Sequence, residues 1–129
     1  MRLLLDTHLL LWAAVEPSRL PHAARTLIED PQNELFFSAA SIRETAIKAG
    51  LKRSDFTVPP SLLRHELLKN EDTEIPISGR HAIAVLGLPL LHRDPFDRML
   101  VAQATVEGIT LLSLDKILAQ YAGPVRLLL

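Results

Sequence analysis

The chain has 129 residues, a net charge of −1 and no cysteine; 48 % of it is hydrophobic and only 5 % aromatic. That length supports one domain, 1–129, whose core Leu, Ile, Val and Ala must fill, a composition suited to parallel sheet flanked by helices. Disulfides and thiolate zinc sites are excluded, a pI near 6.5 argues against bulk electrostatic capture of nucleic acid, and no apolar run approaches the ~20 residues of a membrane span.

In chain order, Arg2–Leu5 reads as a buried strand ending at Asp6, and His8–Val15 as a helix stopped near Pro17. The opening MRLLLDTHLLLWAAV resembles a leader, but it carries Asp6 and His8 inside its apolar run, so strand then helix is the expectation. Pro21 suits the first turn of a second helix reaching about Asp30, where Pro31 ends it. Glu34–Phe37 is a second strand. Ser38 or Ser41 caps a helix that runs to Gly50. A loop over Lys52–Pro60 leads to a helix over Ser61–Asn70, a strand over Glu74–Ile77 and a helix over Gly79–Leu86. After a connection, Asp94 and Pro95 supply the N-cap and first position of a strong helix ending near Gly108. Ile109–Ser113 is a strand, Lys116–Tyr121 a short helix and Val125–Leu128 the last strand. Strands alternating with helices predict an open parallel sheet covered on both faces, with ligands bound beyond the carboxyl ends of its strands.

Four acids stand out against that frame. Asp6 and Asp115 follow short aliphatic strands, at the edge where ligands bind. Glu44 shares a helical stripe with Ala40, Ile47 and Leu51, and Asp97 shares one with Leu100, Val101 and Ala104. Each has an ordinary alternative: Asp6 and Asp115 as helix caps, Glu44 paired with Lys48 one turn on, Asp97 favoured by a helix dipole. Capping accounts for Asp94. Converging carboxylates ~5 Å apart repel by about 3 kcal/mol per pair at an effective dielectric near 20. A shared cation relieves this, and an all-oxygen site selects Mg²⁺ or Mn²⁺. His8, His22, His65, His81 and His92 show no zinc spacing, although His8 and His92 neighbour the acids in sequence.

The segments LLDTHLLLWAA, SAASIRETAIKAG, HRDPFDRMLVAQA and TLLSLDKILAQY resemble, in order and over essentially the whole chain, the PIN domain. They resemble in particular the VapC-like toxins of toxin–antitoxin pairs. The resemblance implies a three-layer α/β/α fold with a parallel sheet of about five short strands. It also implies a cytoplasmic Mg²⁺- or Mn²⁺-dependent ribonuclease that leaves 5′-phosphate and 3′-hydroxyl ends. By motif, Asp6, Glu44, Asp97 and Asp115 become the catalytic metal ligands, with Thr7, Asp94 and Ser113 supporting them. Lys48, Lys52, Arg53, Arg93 and Arg98 flank these motifs as candidate RNA contacts. A homodimer and an antitoxin whose tail puts a basic side chain into the acidic site are further implications. Arg43 stands where relatives usually carry a large apolar residue and Thr45 where they carry an apolar one, which bears on substrate or partner contacts.

Two other readings, one an enzyme and one a non-catalytic signalling domain, fit less well. A dehalogenase-type phosphotransferase needs a second acid two residues after the first, where His8 stands, and a receiver domain needs an acid after a central strand that EIPIS lacks. A PIN-like domain that only binds a partner is the remaining alternative.

Overall fold

The computed structural model describes residues 1–54, 56–121 and 123–128. Five strands, β1 (Arg2–Leu5), β2 (Glu34–Ser38), β3 (Thr73–Ile75), β4 (Thr110–Ser113) and β5 (Val125–Leu127), form one sheet in the order β3-β2-β1-β4-β5. Every neighbouring pair is parallel. Leu4 lies opposite Phe36 on one side and Leu111 on the other, which puts β1 at the centre.

Period-two alternation gives the sheet two apolar faces. Leu3, Leu5, Phe37 and Leu112 pack with Leu9, Leu10, Leu63 and Leu67, contributed by α1 (Thr7–Val15) and α4 (Pro60–Lys69). Ala24 of α2 (His22–Glu29) joins the same cluster. Leu4, Phe36 and Leu111 face the other way, onto Leu100, Val101 and Ala104 of α6 (Pro95–Glu107). Both faces are therefore covered, as the near-continuous aliphatic strands require.

Chain direction then places the site. β1 leads through α1 and α2 to β2, and β2 through α3 (Ala39–Gly50) and α4 to β3. The connection through α5 (Gly79–Ala84) and α6 crosses back to put β4 on the opposite side of β1. The strand order reverses there, opening a crevice beyond the carboxyl ends of β1 and β4.

Local chemistry sets the helix ends. Asp94 Oδ1 accepts from the Phe96 and Asp97 N–H groups, Pro95 opens α6, and Gly108 closes it at φ 67°. Ser38, and not Ser41, caps α3 by accepting from the Ala40 N–H. Pro21 precedes α2 as its N-cap, just outside the first turn expected of it.

Two expected helices are shorter than the pattern suggests. The 79–86 segment splits into α5 and a 3₁₀ turn, Val85–Gly87. The 116–121 segment is a single 3₁₀ turn, Leu118–Gln120. Three-residue spacing puts Leu118 and Tyr121 on one side, and both are buried in the core. The 52–60 connection, in which Asp55 lies outside the described residues, is anchored by Phe56, only 2 % exposed. Among the described residues, no helix is long and apolar enough to cross a membrane.

Candidate metal centre

Asp6 sits one residue past β1 and is buried. Its N–H donates to the Leu112 carbonyl (3.1 Å), continuing the ladder to β4, and its Oδ1 caps α1 by accepting from the Leu9 N–H (2.9 Å). Oδ2 accepts from Ser113 Oγ at 2.7 Å. Burial raises the Asp6 carboxyl above its usual range, against the hydrogen bonds from Ser113 and Leu9.

Glu44 enters from α3. It is 3 % exposed, although the stripe that predicted its burial is only half correct, since Ile47 and Leu51 are 41 % and 70 % exposed. The buried residues of α3 are Ala40, Ser41, Glu44 and Thr45, a mostly polar set. Thr7 Oγ1 donates to Glu44 Oε1 at 2.6 Å, and Ser41 Oγ lies 3.0 Å from the same hydroxyl. Lys48 Nζ donates to Glu44 Oε2 at 2.6 Å and stands 3.8 Å from Asp94 Oδ2. The sequence posed a functional Glu44 and a Glu44–Lys48 pair as alternatives; the structure contains the pair inside the cleft.

Asp97 comes from the first turn of α6, whose inner face, Leu100, Val101 and Ala104, is fully buried as the periodicity predicts. Desolvation first, then the negative charges of Asp94 and Glu44, push its carboxyl up to about 7, with His92 opposing. Asp115 follows β4 and behaves oppositely. Burial is the largest influence and acts upward, but the hydrogen bonds from His92 and the Ile117 N–H together hold the carboxyl below its usual range.

His92 joins these two acids. The Asp94 N–H donates to its Nδ1 at 3.1 Å, which leaves the ring proton on Nε2. Nε2 then donates to Asp115 Oδ2 at 2.8 Å, with Asp97 Oδ2 at 3.4 Å. His92, Asp97 and Asp115 are the tightest ligand-type cluster among the described residues, their donor atoms within 4.8 Å of one another. In this tautomer His92 is a donor, so the oxygens of Asp97 and Asp115 are what the cluster offers a cation. In the sequence His92 is marked only by its closeness to Asp94; its contact with Asp115 spans 23 positions and has no local signal.

Asp6, Thr7, Glu44, Lys48, Asp94, Asp97 and Asp115 all line one cleft of about 300 Å³, with His8 and Trp12 on the same wall. Five carboxylates face one lysine there, and their repulsion is visible in the raised Asp97. The donor set is oxygen-rich and mutually repelling, which fits a hard divalent cation.

Of the flanking basic residues, only Lys48 lines this cleft. Lys52, Arg53 and Arg93 are exposed outside it. Arg98 donates to the carbonyls of Pro89 and Val85 and to the Tyr121 hydroxyl, which ties down the α5–α6 connection instead of facing the acids. Three of its five N–H donors are engaged in this way.

The PIN domain family model matches residues 3–124. The chain is 32 % identical over 122 residues to Ribonuclease VapC22 of Mycobacterium tuberculosis, covering 94 % of this chain and 92 % of that one. Among solved structures it resembles VapBC2 from Rickettsia felis, crystallised bound to a DNA fragment from their promoter. That likeness has a TM-score of 0.73, 16 % identity and 98 % of both chains covered. It also resembles VapBC-1 from nontypeable Haemophilus influenzae, with a TM-score of 0.56, 15 % identity, and 88 % of this chain and 86 % of that one covered. At those identities the structural likeness is one of fold.

Proposed function

The chain belongs to the PIN domain family, among its VapC-like members, and on that premise we propose that it is a Mg²⁺- or Mn²⁺-dependent endoribonuclease, the toxin of a toxin–antitoxin pair. The observation that carries this reading is the convergence of Asp6, Glu44, Asp97 and Asp115 on one cleft at the sheet's switch point. The whole chain acts as one domain, in the cytosol with its RNA.

Asp6, Glu44, Asp97 and Asp115 would hold the ion, directly or through water. When bound, Mg²⁺ or Mn²⁺ supplies an activated water at neutral pH and neutralises charge on the phosphoryl group. The protein's part is positional. Ser113 fixes Asp6, Thr7 fixes Glu44, and His92 holds Asp115 beside Asp97. Lys48, already in the cleft, is the cation within reach of a substrate phosphate. Asp94 caps α6 and turns its second oxygen toward Lys48. No step needs the RNA 2′-hydroxyl as nucleophile, so 5′-phosphate and 3′-hydroxyl ends are expected.

The antitoxin fits as a competitor: a basic side chain on its tail would meet the uncompensated carboxylates of the cleft. A homodimer completes the reading. The partner-only alternative gains no support, since each of the four acids is present and turned into the cleft.

The test is cleavage of labelled total RNA by purified, antitoxin-free protein with Mg²⁺, with Mn²⁺ and with chelator. Folded Asp6→Asn and Asp97→Asn variants run alongside. Metal-dependent cleavage, lost in both variants, is expected. Cleavage that persists in chelator, or 2′,3′-cyclic phosphate ends, would overturn the mechanism.

A further inference from the structure

The edge of the sheet opposite the metal cleft holds a second group of acids. β2 and β3 begin there, at Glu34 and Thr73. α4 ends there in a Schellman motif: the Glu71 N–H donates to the Leu68 carbonyl and the Asp72 N–H to the Leu67 carbonyl, each at 3.0 Å, with Glu71 at φ 68°. Two residues break the usual chemistry of that motif. Glycine is the common choice at the left-handed position, which Glu71 fills, and the residue after it is commonly apolar and packs back on the helix. Here that residue is Asp72. It is only 9 % exposed, and among the described residues no hydrogen bond or ion pair reaches its carboxyl. Burial alone pushes that carboxyl up to about 6, so at neutral pH it is mostly a buried charge without a partner.

Asp72 opens into two adjoining cavities of different character. One, of about 370 Å³, is lined by Glu29, Asp30, Glu34 and Glu71 as well as Asp72, and among the described residues no Lys, Arg or His lines it. The N-terminal ammonium reaches this wall but donates to Asn33 Oδ1 at 3.0 Å. The other cavity, of about 220 Å³, is walled by Leu5, Ala13 and Leu67. Ile28, Leu35, Asn70 and Asp72 line both, so an acidic chamber and an apolar one meet at the unpartnered carboxyl.

We propose that this edge is a binding site for a small aliphatic polyamine, with one ammonium on Asp72, the hydrocarbon chain against Ile28 and Leu35, and further ammonium groups among the outer acids. The inference is independent of the ribonuclease reading. An ammonium brings three donors to a carboxylate that has none, and the charge of each relieves the burial of the other. The apolar wall selects a cation that carries hydrocarbon, and the cavity has the size of a small-molecule site. A metal ion suits it less. Among the described residues no three acids here bring ligand oxygens within 4.8 Å of one another, as His92, Asp97 and Asp115 do with their ligand atoms in the cleft. Carboxylates spread along a wall match charges spread along a chain.

The experiment is isothermal titration calorimetry of the full-length protein with 1,4-diaminobutane, with spermidine and with 1,4-butanediol, the uncharged match in chain length. Saturable binding at a single site is expected for both amines and none for the diol. Asp72→Asn should weaken amine binding roughly 10- to 150-fold, the worth of a hydrogen bond to a charged group. Asp72→Leu, which supplies the apolar residue usual at this position, should remove binding as well. Circular dichroism checks each fold, and if one variant fails to fold the other decides. Asp97→Asn, in the metal cleft, should bind the amines as the wild type does. Absent saturation, an equal response to the diol, or undiminished binding in the folded Asp72 variants would overturn the site. Binding lost in Asp97→Asn and kept in the Asp72 variants would overturn it too, by placing the amine in the metal cleft. Displacement of the amine by equimolar Mg²⁺ in Asp97→Asn would replace the polyamine site with a metal site.

Discussion

The Thr7 hydroxyl is buried and spends its proton on Glu44 Oε1, while Lys48 occupies Oε2. Both Glu44 oxygens are thus held by named donors, which fixes a carboxylate that is otherwise costly to bury. Thr7→Val keeps the shape and removes the donor. It should cost about 1–3 kcal/mol, read as a lower Tm, and reduce metal-dependent cleavage roughly 10- to 100-fold. Thr7→Ser should recover most of both; cleavage unchanged in Thr7→Val would show that Glu44 does not need this donor. Asp97 gives a pH prediction. Its folded carboxyl titrates near 7 against a usual 3.8, so the folded protein binds more protons than the unfolded chain between those values. Stability in chelator therefore falls as pH rises from about 4 to 7, and the penalty is fully present above 7. Asp97→Asn removes that charge and should raise the metal-free Tm at pH 8, by an amount equivalent to at most ~4 kcal/mol. At pH 4 the gain should vanish. A gain equal at both pH values would place its origin in packing and not in charge.

At the scale of elements, α6 carries two functions in its first turn. Asp94 Oδ1 caps the helix and Oδ2 stands 3.8 Å from Lys48, within the cleft. Asp94→Ser separates them, because serine caps as well as aspartate but carries no charge. Stability should stay within about 0.5 kcal/mol, whereas Asp94→Ala should cost about 0.5–2 kcal/mol. Loss of the Asp94 charge should also lower the Asp97 carboxyl, since that charge is one cause of its elevation, and NMR titration of the side chains would read this. The same helix shows what a sequence can reveal. Its cap, its proline, its closing glycine and its buried stripe are all local or periodic, and each was legible. So were all five strands, to within a residue or two, because aliphatic runs between turn signals need no tertiary information. α3 was read to the right burial of Glu44 from a faulty stripe: Ile47 and Leu51 face outward, and what surrounds Glu44 is Thr7, from another element. His92 against Asp115, Ser113 against Asp6 and the diversion of Arg98 into the α5–α6 connection are all made by folding, across 23, 107 and at least nine positions. Spacing along the chain carries no trace of them.

For the whole molecule, three of the most exposed large apolar side chains lie on α5 and the turns after it. Ile83, Leu86 and Leu90 are 71 %, 88 % and 78 % exposed, with Ile77 and Leu91 at 42 % nearby. Arg98 clamps the backbone of this region through Val85 and Pro89, so these side chains are presented on a held surface. Exposed aliphatic side chains grouped along one stretch of chain suit a face that a partner covers, and burying each leucine would contribute about 1.5–3 kcal/mol. The proposed homodimer is expected to use this surface. The wild-type chain should sediment as a dimer at micromolar concentration. Ile83→Lys and Leu86→Lys should each shift it to monomer with little change in circular dichroism, because neither side chain supports the monomer core. If the wild type sediments as a monomer and the two substitutions abolish only antitoxin binding, the surface belongs to the antitoxin. A wild-type dimer that both substitutions leave intact would assign the interface to another face, with the exposed end of α3 at Ile47 and Leu51 the next to test.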